Sequence, residues 1–445
     1  ILRERIKLAL GVNLTKTDTD KRLSIYAEEV LIEPKMSADF DDDDRFISII
    51  EEACDQCSIE KIVVTNTCRN CVAHSCVNSC PKKAITIVEN RAYIRRDKCI
   101  ECGLCVKACS YGAIIEIDRP CNRACSVGAI IPGDKATAKI DSSICVECGS
   151  CIVACPFGAI SSRSDMVKVI NYLIDKERKV IALIAPSYIG QFGNGVTWDN
   201  LVYALKKIGF YDVVMVAVGA DRVIEKESKE LIEKKVGGEG TLFNSCCPSF
   251  KKLLKIHYPE LISNISSTDS PMLETARAVQ DIDKTFDCIF IGPCLGKKGE
   301  AAREGKDLIN AVLTFEELTA IFVAADINLA ALDPEERDSY EIRKNVPGQA
   351  SNDGANFCQN GGVSQAILNN VGKKYPDFKF ESCSVSGLSE CKKLLDLIVH
   401  GKYDYDFVEG MGCNDGCIGG PGILVKPAKS RGILKQLNRE NVKCS

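Results

Sequence analysis

The 445-residue chain lacks any run of about 18 apolar residues, so no membrane-spanning helix is expected. It shows no secretory leader, and a cytoplasmic location is the expectation. It has no strong charge of either sign: 57 Lys and Arg stand against 61 Asp and Glu, net -4, which makes no case for nucleic acid or an anionic membrane as partner. It also lacks the even scatter of cysteines found in a small secreted disulfide scaffold. Of its 26 cysteines, 16 fall between Cys54 and Cys155, many two or three residues apart. A CxxC pair presents two thiolates to one metal or cluster, so these cysteines read as metal ligands in a reducing compartment. The remaining composition, 45% hydrophobic and 27% charged, is that of an ordinary globular protein, and the length suggests two or three domains.

Three regions differ in texture. Residues 1–50 hold two helix-like stretches, "RERIKLAL" and "DKRLSIYAEEVLI", and end in the acidic run Asp41 to Asp44, read as a solvated loop or helix N-terminus. Residues 51–165 hold short strand-like pieces ("AITIVEN", "AYIRRD", "AIIEID") between cysteine clusters, as in an α+β ferredoxin-like iron–sulfur domain. Residues 166–445 alternate apolar runs ("KVIALIAP", "DVVMVAVG", "DCIFIG", "DYDFVEG") with helical patterns ("WDNLVYALKKIG", "ADRVIEKESKELIEKK", "FEELTAIFVAA"). Strands alternating with helices predict an α/β domain with its site in loops beyond the strand ends.

The run Cys99-x2-Cys102-x2-Cys105-x3-Cys109 has the bacterial ferredoxin spacing, and it returns as Cys145-x2-Cys148-x2-Cys151-x3-Cys155. A looser version is Cys68-x2-Cys71-x4-Cys76-x3-Cys80. Structural zinc would use two CxxC pairs and leave the third and fourth cysteines of each run unexplained. In two-cluster ferredoxins the fourth cysteine of each run ligates the other cluster. That rule gives one 4Fe–4S set of Cys68, Cys71, Cys76 and Cys109, and a second of Cys99, Cys102, Cys105 and Cys80. A third is Cys145, Cys148 and Cys151 with Cys125 from "PCNRACSVGAI". Cys54, Cys57, Cys121 and Cys155 remain for a fourth, unless Cys54 and Cys57 form a separate redox or zinc pair. His74, inside the first run, reads as a loop residue rather than a donor to cluster sulfur. Three or four clusters in series make an electron wire, which needs an end where electrons do chemistry.

Beyond residue 166 the cysteines sit in "NSCCPSF", "GPCLGKKGE" and "EGMGCNDGCIGGPG". Cys247, Cys294, Cys413 and Cys417 follow strands that can converge into a four-thiolate site. A zinc site on them would leave Cys246 and Lys297 without a role.

These three segments resemble, in order and in cysteine position, the motifs TSCCPxW, MPCxxKxxE and ExMxCxxGCxxGG of the iron-only (FeFe) hydrogenases. The resemblance covers about 166–445 and implies an α/β catalytic domain with two sheet-containing lobes. It implies an H-cluster: a 4Fe–4S cluster on Cys247, Cys294, Cys413 and Cys417, with Cys417 bridging to a diiron subsite carrying CO, cyanide and an azadithiolate. It also implies that Lys297 donates to a cyanide, that Met411 packs beside the diiron unit, and that Pro186 and Ser187 line the same pocket. Cys246 then becomes a proton-passing thiol, fed through Glu227, Ser266 and Glu230, with Lys234 where the family has an outer arginine. The implied partners are a low-potential carrier such as ferredoxin and the maturation enzymes that insert the diiron unit. The sequence departs from the motifs at Asn244, Phe250, Gly292 and Asn414-Asp415. The expected activity is reversible formation of H2 from protons and electrons. A low-turnover H2 sensor, an iron–sulfur assembly relative and a plain electron-transfer protein are the alternatives.

Overall fold

The computed structural model describes residues 1–12, 14, 21–32, 46–54, 57, 61–133, 137–332 and 350–443. The acidic run Asp41 to Asp44 lies outside them.

The apolar runs of the C-terminal half form two parallel sheets. Lys179–Ile184 and Phe286–Ile291 pair at the centre of the first, flanked by Asp212–Met215 and Ala311–Leu313. Both central strands are buried among Leu201, Leu205, Met272, Leu313 and Phe315, as expected where helices cover a parallel sheet. In the second sheet Phe407–Met411 lies between Leu242–Phe243 and Ser382–Ser386. Its side chains alternate: Leu242 and Phe407 enter one core with Val223 and Phe357, while Phe243 and Val408 enter another with Phe250 and Leu388. The motif loops all leave the C-terminal ends of these strands: 185–187, 244–247, 292–294 and 412–417.

One expected strand is shorter than its apolar pattern. "DVVMVAVG" is extended only to Met215, and the helix Ala217–Gly237 takes up the rest. A short apolar run has no period that separates strand from buried helix. The small residues settle it: a Cβ on Gly219 would lie 2.2 Å from Pro271 O, because this helix crosses Pro271–Gln280 at that point.

The cysteine block is two ferredoxin modules, one inserted in the other. In the inner module Ile62–Val64 pairs antiparallel with Ile114–Glu116, around a hairpin of Ile85–Val88 and Arg91–Ile94. In the outer module Ile47–Ile49 pairs antiparallel with Ile160–Ser162, around a hairpin of Ile130–Pro132 and Ala138–Ile140. The backbone bonds at the strand ends repeat: Ile117 N to Lys61 O at 2.6 Å matches Arg163 N to Phe46 O at 2.7 Å, and Thr65 N to Ala113 O matches Ile50 N to Ala159 O, both 2.7 Å. The 63 residues between Cys57 and Cys121 thus replace a gap that spans four residues between Cys71 and Cys76. The N-terminal helix Leu2–Ala9 packs on the outer module through Leu8 and through Arg5 Nη2 to Phe157 O at 2.8 Å.

Gly219→Val is expected to push these two helices apart at a cost of about 1–3 kcal/mol. A lowered thermal midpoint of the catalytic domain, followed by circular dichroism, checks it.

Candidate active site

The strand-end loops surround a cavity between the two sheets. Cys246, Cys247, Cys294, Cys413 and Cys417 line it together with Pro186, Ser187, Lys297 and Met411. Burial pushes the Cys294 and Cys417 thiols up to about 12, and Cys247 and Cys417 push Cys294 further the same way. Four sulfurs held away from water need a cation to become thiolates. Among the described residues no three His, Cys, Asp or Glu side chains close on one point as ligands of a single ion do. A cubane cluster is larger and takes its thiolates from wider spacing.

Three polar groups show that the cavity expects a polar occupant. Ser187 Oγ is fully buried and has no hydrogen-bond partner among the described residues. Gly412 N donates to Cys247 Sγ at 3.3 Å. Lys297 Nζ donates to Glu300 Oε2 at 2.5 Å and to Cys246 O at 3.2 Å, which leaves its third N–H for the cavity. Glu300 is fixed in turn by Ser270 Oγ at 3.1 Å. Thiols, serine and lysine together fit an iron–sulfur group with anionic ligands.

Behind Cys246 lies a line of carboxylates. Glu227 and Glu230 stand three apart on the helix Ala217–Gly237, hence on one face. Glu227 Oε1 accepts from Ser245 N and Ser245 Oγ, both at 2.9 Å, and the carboxyl lies near the Ser266 hydroxyl. Burial pushes Glu227 up to about 7 against these bonds. Burial, then Glu227 and the neighbouring cysteines, holds Cys246 as a thiol. Ser266 Oγ donates to Glu230 Oε2 at 2.7 Å, and Ser267 N donates to Glu230 Oε1 at 3.0 Å at the exposed end. Lys234 takes other partners: its Nζ donates to Ser263 O at 3.3 Å and lies 3.9 Å from Glu239.

The departures from the family motifs have local reasons. Asn244 bridges two motifs, accepting from Gly410 N at 2.8 Å and donating from Nδ2 to Cys246 Sγ at 2.9 Å. The Phe250 ring covers Gly410, where a Cβ would lie 2.2 Å from it. A Cβ on Gly292 would lie 2.8 Å from the ring of Phe290, which fills that space and lines the cavity. Asn414 Oδ1 sits where a Gly387 Cβ would be, and Asp415, at φ 67°, pairs with Arg431. Sequence reasoning missed Phe290, although it stands two residues before Gly292 on the same strand face. Cys358 is buried and lines the cavity beside Cys417.

The accessory cysteines gather in sets. Cys80, Cys99, Cys102 and Cys105 line one cavity of about 340 Å³. Burial raises Cys76, and Cys109 and Cys71 raise it further. Burial raises Cys121 with Cys155, Cys54 and Cys57 beside it, and raises Cys148 with Cys125 beside it. The last cysteine of each run accepts from an alanine N–H four residues on: Ala84 to Cys80 (3.2 Å), Ala113 to Cys109 (3.3 Å), Ala129 to Cys125 (3.1 Å) and Ala159 to Cys155 (3.3 Å). Ala138 N to Cys54 Sγ at 3.2 Å likewise repeats Ala92 N to Cys68 Sγ at 3.5 Å. The signal was in the sequence: "CPKKAI", "CSYGAI", "CSVGAI" and "CPFGAI" share one pattern. His74, half-buried, holds Asn70 Oδ1 at 3.0 Å.

Residues 178–421 match the family described as "Iron only hydrogenase large subunit, C-terminal domain". Residues 67–113 match a 4Fe–4S dicluster domain, and 138–161 a 4Fe–4S binding domain. Iron hydrogenase 1 of Clostridium pasteurianum is 31% identical over 392 residues, covering 77% of this chain and 67% of that protein. The periplasmic [Fe] hydrogenase large subunit of Nitratidesulfovibrio vulgaris is 29% identical over 327 residues, covering 62% and 75%. A solved structure of the [FeFe]-hydrogenase HydA(deltaEFG) shares the fold at a TM-score of 0.52 and 23% identity, covering 61% of this chain and 88% of that one. On these grounds the chain belongs to the iron-only hydrogenases.

Proposed function

We propose that this chain interconverts protons, electrons and H2 in the cavity between its two parallel sheets, with its own residues as the proton path and the N-terminal cysteine sets as the electron path. The observation that carries this reading is one cavity lined by four cysteines from three distant motifs, backed by a buried thiol and two carboxylates that lead outward. Cys247, Cys294, Cys413 and Cys417 would hold the cubane part of the H-cluster, and Ser187 and Lys297 would bind its anionic ligands. When bound, the H-cluster supplies the redox-active irons and the amine at which two protons and two electrons are joined or parted.

Cys246 Sγ delivers the proton to the cavity. Its thiol form suits this, because a group that keeps its proton until an acceptor is in reach can act as donor. Asn244 Nδ2 donates to Sγ, so the S–H points elsewhere. Glu227 resupplies Cys246, Ser266 links Glu227 to Glu230, and Glu230 meets solvent beside Ser267. Lys234 serves the solvent mouth by its charge, without a bond to Glu230. Cys148 lies in the cavity wall, so the set Cys145, Cys148, Cys151 and Cys125 is the accessory site next to the chemistry. The electron donor is a low-potential carrier of the ferredoxin kind, and maturation enzymes supply the diiron unit. The cysteine block serves as wire and residues 166–445 as catalyst; the first strand of the block, Ile47–Ile49, lies ahead of the expected boundary at residue 51 because it pairs with Ile160–Ser162.

The direct test is H2 evolution with reduced viologen, after the diiron unit has been supplied to the full chain. Full iron loading and CO and cyanide infrared bands without turnover would replace the enzyme reading by a sensor. Cys413→Ala is expected to lower bound iron by about four atoms per chain, read by metal analysis. Cys246→Ala is expected to keep the infrared bands and lower turnover by about 10²-fold or more.

Glu227 also makes a pH prediction. Its folded value near 7 exceeds the unfolded 4.5, so between these values the unfolded chain releases a proton that the folded chain keeps. Stability from this group is full below about 4.5 and is lost as pH rises to about 7. Glu227→Gln should remove that loss, so its thermal midpoint relative to wild type should rise across the window.

A further inference from the structure

We infer that a second pocket, at the seam between the outer ferredoxin module and the first parallel sheet, binds a phosphoryl dianion between Lys168 and Lys306, either free phosphate or a phosphate monoester. This goes beyond the hydrogenase reading, and the pocket shares no lining residue with the catalytic cavity.

Three parts of the chain build this pocket. Phe46 and Arg163 come from the outer module, where Arg163 N donates to Phe46 O at 2.7 Å just beyond the paired strands Ile47–Ile49 and Ile160–Ser162. The edge strand Ala311–Leu313 of the first sheet brings Val312, with Ile309 just before it. Asp165 ties the two together, since its Oδ2 accepts from Val312 N at 3.0 Å. The helix Met166–Ile174 starts at that tie and brings Lys168 and Tyr172, one turn apart, to the same wall. The helix Gly296–Arg303 forms the opposite wall with Lys298 and Ala301. Its Lys297, one residue earlier, lines the catalytic cavity instead, so a single helix separates the two pockets.

The charge in this pocket is one-sided. Arg163, Lys168, Lys298 and Lys306 line it, and Asp165 is the acid among them. Lys298 is already engaged: its Nζ donates to Glu317 Oε1 at 2.7 Å and to Arg163 O at 2.8 Å. Asp165 balances Arg163 in the charge count. Lys168 and Lys306 remain, and neither forms a hydrogen bond or ion pair among the described residues. Lys306 is exposed at the rim, whereas Lys168 is half-buried with its Nζ 6.0 Å from the Tyr172 ring. Burial lowers Lys168; Asp165 opposes that shift and Arg163 adds to it. A half-buried ammonium without a bonded partner is costly, and an anion beside it removes the cost. Two such groups call for one dianion. A phosphate monoester carries close to two charges at pH 7 and three acceptor oxygens, and lysine binds it as a point charge. Phe46, Ala301 and Ile309 offer an apolar surface to an organic body attached to the phosphate.

The test uses the full chain with its clusters, in a buffer without phosphate, with inorganic phosphate and AMP as probes. Calorimetry should show one site per chain, and the bound probe should raise the thermal midpoint. Lys168→Gln and Lys306→Gln should each raise the Kd by roughly tenfold and leave the circular dichroism spectrum unchanged. Lys229→Gln, at an exposed lysine of the helix Ala217–Gly237, should leave the Kd unmoved. Tighter binding of AMP assigns the site to a phosphate monoester, and binding of phosphate with AMP excluded assigns it to free phosphate; both uphold it. No heat from either probe, a Kd that Lys168→Gln and Lys306→Gln leave unmoved, an equal rise for Lys229→Gln, or tighter binding of succinate than of phosphate would each overturn it.

Discussion

Sulfur held as thiolate away from water is the constraint on which this molecule depends. A buried anion is costly unless a cation or N–H donor stands against it. Every cysteine set meets that demand with the same means. Alanine N–H groups reach the last sulfur of each ferredoxin run, Gly412 N reaches Cys247, and the Lys297 ammonium sits among the catalytic thiols. In the proposed reading, iron supplies the positive charge that completes each set. The small strands of the cysteine block follow from this: a module organised around clusters needs only a thin apolar core.

The same demand acts on the two carboxylates of the proposed proton path. Glu227 is buried yet accepts from both donors of Ser245 on one oxygen, so its acidity settles near 7, where it can take and give a proton. Glu230, half-buried and tied to Ser266 and Ser267, meets water more cheaply. A buried and a wetter carboxylate thus stand one helical turn apart, as the proposed proton path requires.

One ferredoxin module is nested in the other rather than strung after it. Antiparallel pairing of the inner module's first and last strands holds its two chain crossings together.

Much of this was legible in the sequence, because cluster ligation is a matter of spacing. Cys-x2-Cys-x2-Cys-x3-Cys is set by the size of a cluster and a turn, so the runs pointed to 4Fe–4S domains before any fold was known. The three catalytic motifs gave the family, and the 3.6-residue period put Glu227 and Glu230 on one face. Tertiary structure alone decided what depends on contacts between distant residues. It showed that Val216 to Gly219 leaves the strand for a helix, since Gly219 meets Pro271 only in the folded packing. It showed that Phe290 fills the space above Gly292, that Asn244 ties Cys246 to Gly410, and that Lys234 turns to Ser263. It also showed that Cys57 and Cys121, far apart in sequence, belong to one module. Local spacing constrains a ligand set, whereas the space beside a side chain is set by whatever the rest of the chain brings there.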